Sequence, residues 1–280
     1  MCPQKLIFGL TLYDLLIALG IILCFCSFSY LADKRRIKGR LQNLVLISGV
    51  AGISLGFGSA ILFQAFYNVG STGKFEIVAN TGATFYGGLI GGVLTFLVCY
   101  FAAGHLLYKR SETPSYPKDS FFAVASCAVP SILLAHGFGR LGCLMAGCCH
   151  GALTDAWYGL QMYGRFGYEK YVPIQLFEAI FLLSLFAILF YRAKREKRYN
   201  LPVYITVYGI WRFLIEFARA DDRGSLPFWS LSPSQFIAVL MILCGIGIFF
   251  LEKRITDRQE ASSVDERDDE AKEECDHEKQ

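Results

Sequence analysis

Long segments without Asp, Glu, Lys or Arg are the main feature of the chain. A helix that crosses a bilayer needs about 20 consecutive apolar residues, and seven segments reach roughly this length. They span residues 6–32, 41–73, 77–108, 120–139, 172–191, 201–218 and 231–251. This pattern predicts an all-α, polytopic membrane protein with seven transmembrane helices and short loops. The polar stretch at residues 68–82, between the second and third spans, is predicted to form a loop.

Lys and Arg gather after every second predicted span. The clusters lie at residues 34–40, 109–118, 192–198 and 253–258. Because Lys and Arg in short connections resist translocation across the membrane, the clusters predict that the N-terminus lies outside and the C-terminus lies in the cytoplasm.

Charge is also concentrated near the end of the sequence. Residues 255–280 are rich in charged residues and nearly free of aromatic ones, a composition typical of disorder. We therefore predict a membrane domain over residues 1–254, with an outward loop region at 136–171, followed by a disordered cytoplasmic tail. A composition of 54% hydrophobic and 18% charged residues excludes a disordered or nucleic-acid-binding chain.

Four charged residues interrupt the apolar spans. A charge near the bilayer centre costs roughly 2.5 to 3.5 kcal/mol, so each one needs a partner or a function. Arg212 and Glu216 stand four residues apart and face the same side of a helix, which is compatible with a structural ion pair or with a polar cavity. Asp14 and Glu178 lie near span ends and are expected at the level of the lipid headgroups.

The segment 136–151 combines glycines, an arginine and cysteines. Glycine permits close approach of the backbone, and the guanidinium of Arg140 binds phosphate through two parallel hydrogen bonds. The segment therefore favours an anionic headgroup as its ligand. The glycines at residues 87–92 are compatible with such a site, and equally with close helix packing.

Three cysteines and a histidine are close in sequence within this segment. Cys143, Cys148, Cys149 and His150 have a spacing that matches neither a zinc knuckle nor a C-x-x-C redox pair. Packing thiols, a disulfide from Cys143 to Cys148 or Cys149, and a metal site all remain open. No metal site is included in the predicted function.

Several motifs, in this order and spacing, resemble the prolipoprotein diacylglyceryl transferases. They are YGGLIGG at residues 86–92, GRLG at 139–142, PIQLFEA at 173–179, RFLIEFAR at 212–219 and LSPSQ at 231–235. The resemblance extends over about residues 10–250, and the family has seven transmembrane helices. It implies transfer of a diacylglyceryl group from phosphatidylglycerol to the lipobox cysteine of a prolipoprotein, with release of glycerol 1-phosphate. It further implies a bacterial cytoplasmic (inner) membrane, no cofactor and no nucleic-acid partner.

The resemblance also implies roles for individual residues. Two arginines stabilise the charge that develops on the leaving phosphate: Arg140 holds the phosphate, and Arg212, oriented by Glu216, is the second. The other predicted catalytic residues are Tyr86 and His150. The other residues predicted to bind phosphatidylglycerol are Tyr13, Gly87, Gly88, Gly142, Gly151 and Arg219.

Departures from the family pattern concern acid/base chemistry. Tyr86 stands where the family usually has histidine, and a tyrosine with a pKa near 10 is a poor base at neutral pH. Cys143 and Cys148 replace the usual Asn and Glu, and Ser126 replaces an Asp. Either His150 or His136 then supplies the base, or the acceptor thiol, with a pKa near 8.5, loses its proton unaided.

Two other functions remain open on the same residues. A family paralogue would bind or transport an anionic lipid, or modify another acceptor, without prolipoprotein transfer. A thiol redox protein would depend on Cys143, Cys148 and Cys149.

Overall fold

The computed structural model describes residues 10–37, 39–72, 84–108, 117–164, 167–219 and 232–277. Side chains are described for these residues except 70–72, 85–86, 107–108, 117–119, 163–164 and 260–277. Within these ranges, seven helices are long and apolar enough to cross a membrane. The predicted seven-helix membrane fold is therefore confirmed.

Eight α-helices and two strands make up the described structure. Helices α1 to α4 are Leu12–Lys34, Gly39–Thr72, Phe85–Val98 and Gly104–Tyr108, and a π-helical turn, Cys99–Ala103, joins the last two into one span. Helices α5 to α8 are Pro117–Ala146, Ile174–Lys194, Asn200–Ile215 and Pro233–His277. Strands β1, Leu160–Gly164, and β2, Gly167–Tyr171, form an antiparallel hairpin between α5 and α6.

Three features differ from the sequence predictions. Helix α2 runs to Thr72, into the predicted loop at residues 68–82, whose remainder from 73 lies outside the described residues. Helix α5 continues to Ala146, seven residues beyond the predicted end at residue 139, so most of the glycine- and arginine-bearing segment is helical. Helix α8 continues to His277 through a segment predicted to be disordered, and the domain boundary at residue 254 stays a prediction.

The chain divides into two compact units, Ser29–Val124 and a larger one made of Met1–Phe28 with Ala125–Gln280. In the smaller unit, α2 and α3 approach through glycines. A Cβ on Gly52 would lie 3.0 Å from the carbonyl oxygen of Gly92, and one on Gly56 would lie 3.0 Å from that of Gly88. The glycines therefore permit backbone-to-backbone packing, as is common between membrane helices.

In the larger unit, α5, α6, α7 and α8 share one apolar core. Its fully buried members include Leu133 of α5 and Leu182 and Leu189 of α6, with Tyr208 of α7 beside them. Partly buried Met241 of α8 packs against this group. The core fixes the positions of the helix ends that carry the motifs at residues 139–142, 173–179, 212–219 and 231–235.

Pro130 lies inside α5 and has no backbone N–H to donate to the carbonyl oxygen of Ser126. The side-chain amide of Asn200 donates to that carbonyl at 3.1 Å, and Asn200 is fully buried. The start of α7 thereby satisfies the acceptor that the proline leaves open, and ties α7 to α5.

Candidate active site

One face of α5 carries His136, Arg140 and Cys143, because these residues are spaced at four and three positions. Arg140 reaches across to α6, where its Nε lies 3.0 Å from Oε2 of Glu178. His136 approaches the same carboxylate, with Nε2 at 4.0 Å from Oε1. Helix α5 therefore directs two nitrogen-bearing side chains at one acid.

Glu178 is fully buried inside the protein, and the expectation that it lies at the depth of the lipid headgroups stays a prediction. Besides the ion pair with Arg140, its Oε1 accepts a hydrogen bond from the hydroxyl of Tyr208 at 2.9 Å. A buried carboxylate is stable only when charged and hydrogen-bonding partners surround it, and here α5 and α7 supply them. Asp14, by contrast, caps the start of α1, where its Oδ2 accepts from the backbone N–H and hydroxyl of Thr11.

The second arginine lies one turn beyond Tyr208 on α7. Nη2 of Arg212 lies 3.0 Å from Oε2 of Glu216, so the two residues predicted to share a helix face form an ion pair, and it also donates to Oγ of Ser234 at 3.1 Å. Nη1 of Arg212 is buried and has no hydrogen-bond partner among the described residues. Arg212 is thus held on one side and keeps a donor for a ligand on the other.

The start of α8 supports this second pair. Ser232 and Gln235 form a reciprocal cap: the backbone N–H of Gln235 donates to Oγ of Ser232, and that of Ser232 donates to Oε1 of Gln235. Pro233, at the first helical position, suits such a start. The capped Ser232 then donates its hydroxyl to Oε1 of Glu216 at 3.1 Å, so the LSPSQ motif orients the carboxylate that holds Arg212.

The two arginine sites belong to one electrostatic environment. The charges of both Arg140 and Arg212 act on the mostly buried ring of His136. Arg219, just after α7, acts together with Arg140 on the thiol of Cys149. Three predicted site arginines therefore lie in one region of the larger unit. Their positive charge would stabilise an anion bound there.

Two predicted glycines are required by close contacts. A Cβ on Gly142 would lie 3.2 Å from Cδ2 of Tyr13, which brings these two predicted lipid-binding residues together. A Cβ on Gly151 would lie 2.6 Å from Cδ1 of Ile174 and 2.7 Å from the carbonyl oxygen of Ala218. Gly151 therefore lets the loop after α5 lie directly against the end of α7.

His150 is placed by that same loop. Its Nδ1 lies 3.1 Å from the carbonyl oxygen of Gly151, and its ring lies 3.8 Å from the ring of Tyr171, between centroids. Because a carbonyl oxygen only accepts, Nδ1 carries the proton in this hydrogen bond, and Nε2 of the neutral ring is an acceptor.

The remaining predicted residues belong to the smaller unit. Gly87 packs against Phe63, and its carbonyl oxygen accepts a hydrogen bond from Oγ of Ser59 at 2.9 Å. Gly88 packs against Ala60, so the packing interpretation of these glycines is confirmed. The side chain of Tyr86 lies outside the described residues, and the roles of Tyr86, Gly87 and Gly88 in the reaction stay predictions.

Comparison with known proteins identifies the family. The family model described as prolipoprotein diacylglyceryl transferase matches residues 4–251. The chain belongs to this family. The resemblance drawn from the motifs is therefore confirmed, and the match begins before α1 and ends within the seventh span.

Three bacterial relatives are similar to this chain over most of its length. The phosphatidylglycerol–prolipoprotein diacylglyceryl transferase 2 of Clostridium perfringens is 32% identical, over 88% of this chain and 93% of its own. The phosphatidylglycerol–prolipoprotein diacylglyceryl transferase of Clostridium tetani is 30% identical, over 88% of this chain and 96% of its own. The enzyme of that name from Shewanella oneidensis is 29% identical, over 72% of each chain.

Sequence reasoning missed Glu178, Tyr208, Ser232 and Ser234 as site residues. Glu178 carried a signal, since a carboxylate five residues into an apolar helix needs a cationic partner. Tyr208 also carried one, because it precedes Arg212 by four residues and shares its helix face. The two serines gave no signal of their own beyond the capping pattern around Pro233.

Proposed function

We propose that the protein transfers the diacylglyceryl group of phosphatidylglycerol to the lipobox cysteine of a prolipoprotein, forming a thioether and releasing glycerol 1-phosphate. The observation that carries the proposal is a pair of braced guanidiniums in a membrane protein of this family: Arg140 is paired with Glu178, and Tyr208, which also bonds Glu178, lies one turn before Arg212, which is paired with Glu216. Two arginines suit a phosphodiester whose departure adds negative charge.

The reaction forms one bond and breaks one. The acceptor sulfur attacks the glyceryl carbon that bears the phosphate, a C–S bond forms, the C–O bond breaks, and its electron pair leaves on the phosphate oxygen. The departing monoester carries more charge than the diester did, so donors fixed in advance lower the barrier. In our proposal Arg140 and the open Nη1 of Arg212 contact the phosphate, while Glu178 and Glu216 position the two guanidiniums.

The remaining predicted residues bind the lipid or accept the proton of the acceptor thiol. Tyr13, Gly142 and Gly151 line the phosphate end, supported by their close packing around α5 and the loop after it, and Arg219 adds positive charge there. We assign the proton to Nε2 of His150, supported by the hydrogen bond of Nδ1 to Gly151, which leaves Nε2 as an acceptor. Tyr86, Gly87 and Gly88 keep the roles that the family resemblance implies, catalysis for Tyr86 and lipid binding for the two glycines.

The proposal also covers orientation and location. The basic clusters after alternate spans support a cytoplasmic C-terminus, which directs the α5–α6 connection outward in a bacterial inner membrane. A secreted precursor would present its lipobox thiol on that side. Residues 1–254 would form the membrane domain, and the charged residues 255–280 would lie in the cytoplasm.

The experiment is a reconstituted transfer assay. Purified protein is mixed with phosphatidylglycerol and a lipobox peptide, and we measure the thioether-linked peptide by mass and the released glycerol phosphate. The proposal predicts both products in equal amounts, a loss of both for Arg140→Gln, and wild-type amounts for Arg195→Gln, an exposed arginine outside the site. No product from wild-type protein that still binds phosphatidylglycerol in an Arg140-dependent way would instead support a lipid-binding paralogue.

A further inference from the structure

The thiols of Cys143, Cys148 and Cys149 form a convergent group that the proposed transfer reaction does not use. All three sulfur atoms lie within 4.8 Å of one another. The cysteines are unbridged, and Cys148 and Cys149 are exposed. Three thiols this close to one another and accessible to a solute are arranged as a single binding site rather than as three separate packing groups.

The backbone makes a sharp turn between Cys143 and Cys149. Cys143 is on the last turn of α5, and Gly147, with φ of 72°, reverses the chain just after the helix. Cys149 has φ of 60°, a left-handed conformation that is unfavourable for a residue with a side chain. The fully buried Gln175 donates through Nε2 to the carbonyl oxygen of Cys148 and holds the turn in place.

Positive charge surrounds the group. Arg140 and Arg219 both act on the Cys149 thiol, and Cys143 acts on Arg140 in turn. The thiolate is the form that binds metals and soft electrophiles, and nearby positive charge favours an anionic set of ligands.

We propose that Cys143, Cys148 and Cys149 bind one thiophilic monovalent cation of the Cu(I) class through three sulfurs. Thiolates select soft ions such as Cu(I) over the hard ions that carboxylates hold. Three thiolates and one monovalent cation leave a net charge of −2, which nearby positive charge stabilises. On binding, three Cu–S bonds form and the protons of the protonated thiols go to solvent.

The number of sulfurs supports Cu(I) over Zn²⁺. Structural Zn²⁺ takes four protein ligands in a tetrahedron, and among the described residues only three ligand atoms come together here. His150 is not part of the group of atoms within 4.8 Å. A three-coordinate sulfur site suits a monovalent d¹⁰ ion.

The test is a competition titration on the full chain in detergent, reduced and kept free of oxygen. Cu(I) is presented as its complex with a coloured chelator, and transfer to the protein is followed by loss of that colour. We expect one tightly bound Cu(I) per chain. Cys149→Ser should weaken Cu(I) binding by more than about 100-fold, because even the loss of a residue that only hydrogen-bonds to a metal ligand weakens metal binding about 10- to 100-fold. The combined variant Cys26→Ala/Cys99→Ala/Cys244→Ala, with all three changes outside the group, should bind as wild type does.

X-ray absorption at the copper edge of the loaded wild-type protein gives a second readout that needs no variant. Three sulfur neighbours support the proposal, and fewer than three sulfurs or any nitrogen ligand overturns it. The proposal is also overturned if reduced wild-type protein takes up no stoichiometric Cu(I), or if the control variant loses binding as Cys149→Ser does. Protein isolated with a disulfide in this group that takes up no copper after reduction would point to a thiol redox pair instead.

Discussion

The two arginine sites are built in different ways. Arg140 depends on another helix: its partner Glu178 is fully buried on α6 and also bonds Tyr208 of α7. Arg212 depends mainly on its own helix, with Glu216 one turn away, and on Ser234 at the start of α8. The first arrangement ties three helices together, whereas the second braces one side chain near a helix end.

This difference separates two roles that a charged site residue can have. Glu178 joins α5, α6 and α7, so its loss should lower both the stability of the fold and the rate of the reaction. Nη1 of Arg212 has no hydrogen-bond partner among the described residues, so the loss of Arg212 should slow the reaction and leave the fold nearly intact. The following predictions test that separation, from the largest expected effect to the smallest.

Glu178→Gln should be the most damaging change to stability. The substitution leaves the guanidinium of Arg140 buried without its counter-charge, and breaking one partner of a buried pair costs about 3–5 kcal/mol. Unfolding of the purified protein in detergent, followed by denaturant titration, measures the loss. Glu216→Gln is the matched variant and should cost only about 1–2 kcal/mol, because Arg212 keeps its hydrogen bond to Ser234. Equal losses for the two variants would contradict the comparison.

Arg212→Lys should lower the rate of lipid transfer by about 100-fold or more, as expected when one donor to developing charge is removed. A lysine keeps the charge and loses the two-pronged geometry. The unfolding free energy should change little. The rate is measured with the peptide and lipid assay, and Arg195→Lys serves as the control. A transfer rate within twofold of wild type would remove Arg212 from the phosphate site.

Gly151→Ala should reduce both stability and transfer, because its Cβ would enter the space of Ile174 and the Ala218 carbonyl. Overpacking of this kind costs about 1–3 kcal/mol. Gly247→Ala is the control, since no atom lies within 4 Å of a Cβ placed there. Thermal unfolding of the two variants measures the difference, and a Gly151→Ala protein as stable as the control would show that the loop moves freely.

Ser232→Ala should have the smallest effect. It removes the cap of α8 and the hydroxyl that donates to Glu216, at a cost of about 1 kcal/mol for the cap. Transfer should fall severalfold, because Arg212 loses part of its support. The exposed Ser184 of α6 offers a control, and Ser184→Ala should behave as wild type in both unfolding and transfer. An effect of Ser232→Ala as large as that of Arg212→Lys would mean that the serine itself contacts substrate.

Local features of this site could be predicted from the sequence, and contacts between distant segments could not. The Arg212–Glu216 pair was predictable because four residues along a helix return to the same face. The Arg140–Glu178 pair joins residues on different helices, and only the packing of α5 against α6 decides which acid an arginine meets. The apolar length of the spans gave the number of helices.

The segment after α5 shows a second limit. Its glycines suggested a loop, yet residues to Ala146 are helical, because membrane helices tolerate glycine where neighbours approach closely. The hairpin of β1 and β2 was not predicted, since its two strands are only five residues long. The convergence of three cysteines depends on the turn at Gly147 and is not visible in their spacing.

The central claim is that both arginines act on one phosphate. Its most direct test is a double-mutant cycle of Arg140→Lys and Arg212→Lys, with kcat/KM for lipid transfer as the measured quantity. If they share a substrate group, the losses will not add, and the coupling should be about 0.5–3 kcal/mol. Losses that add within about 0.3 kcal/mol would mean that the two arginines act independently, and would contradict a single phosphate site.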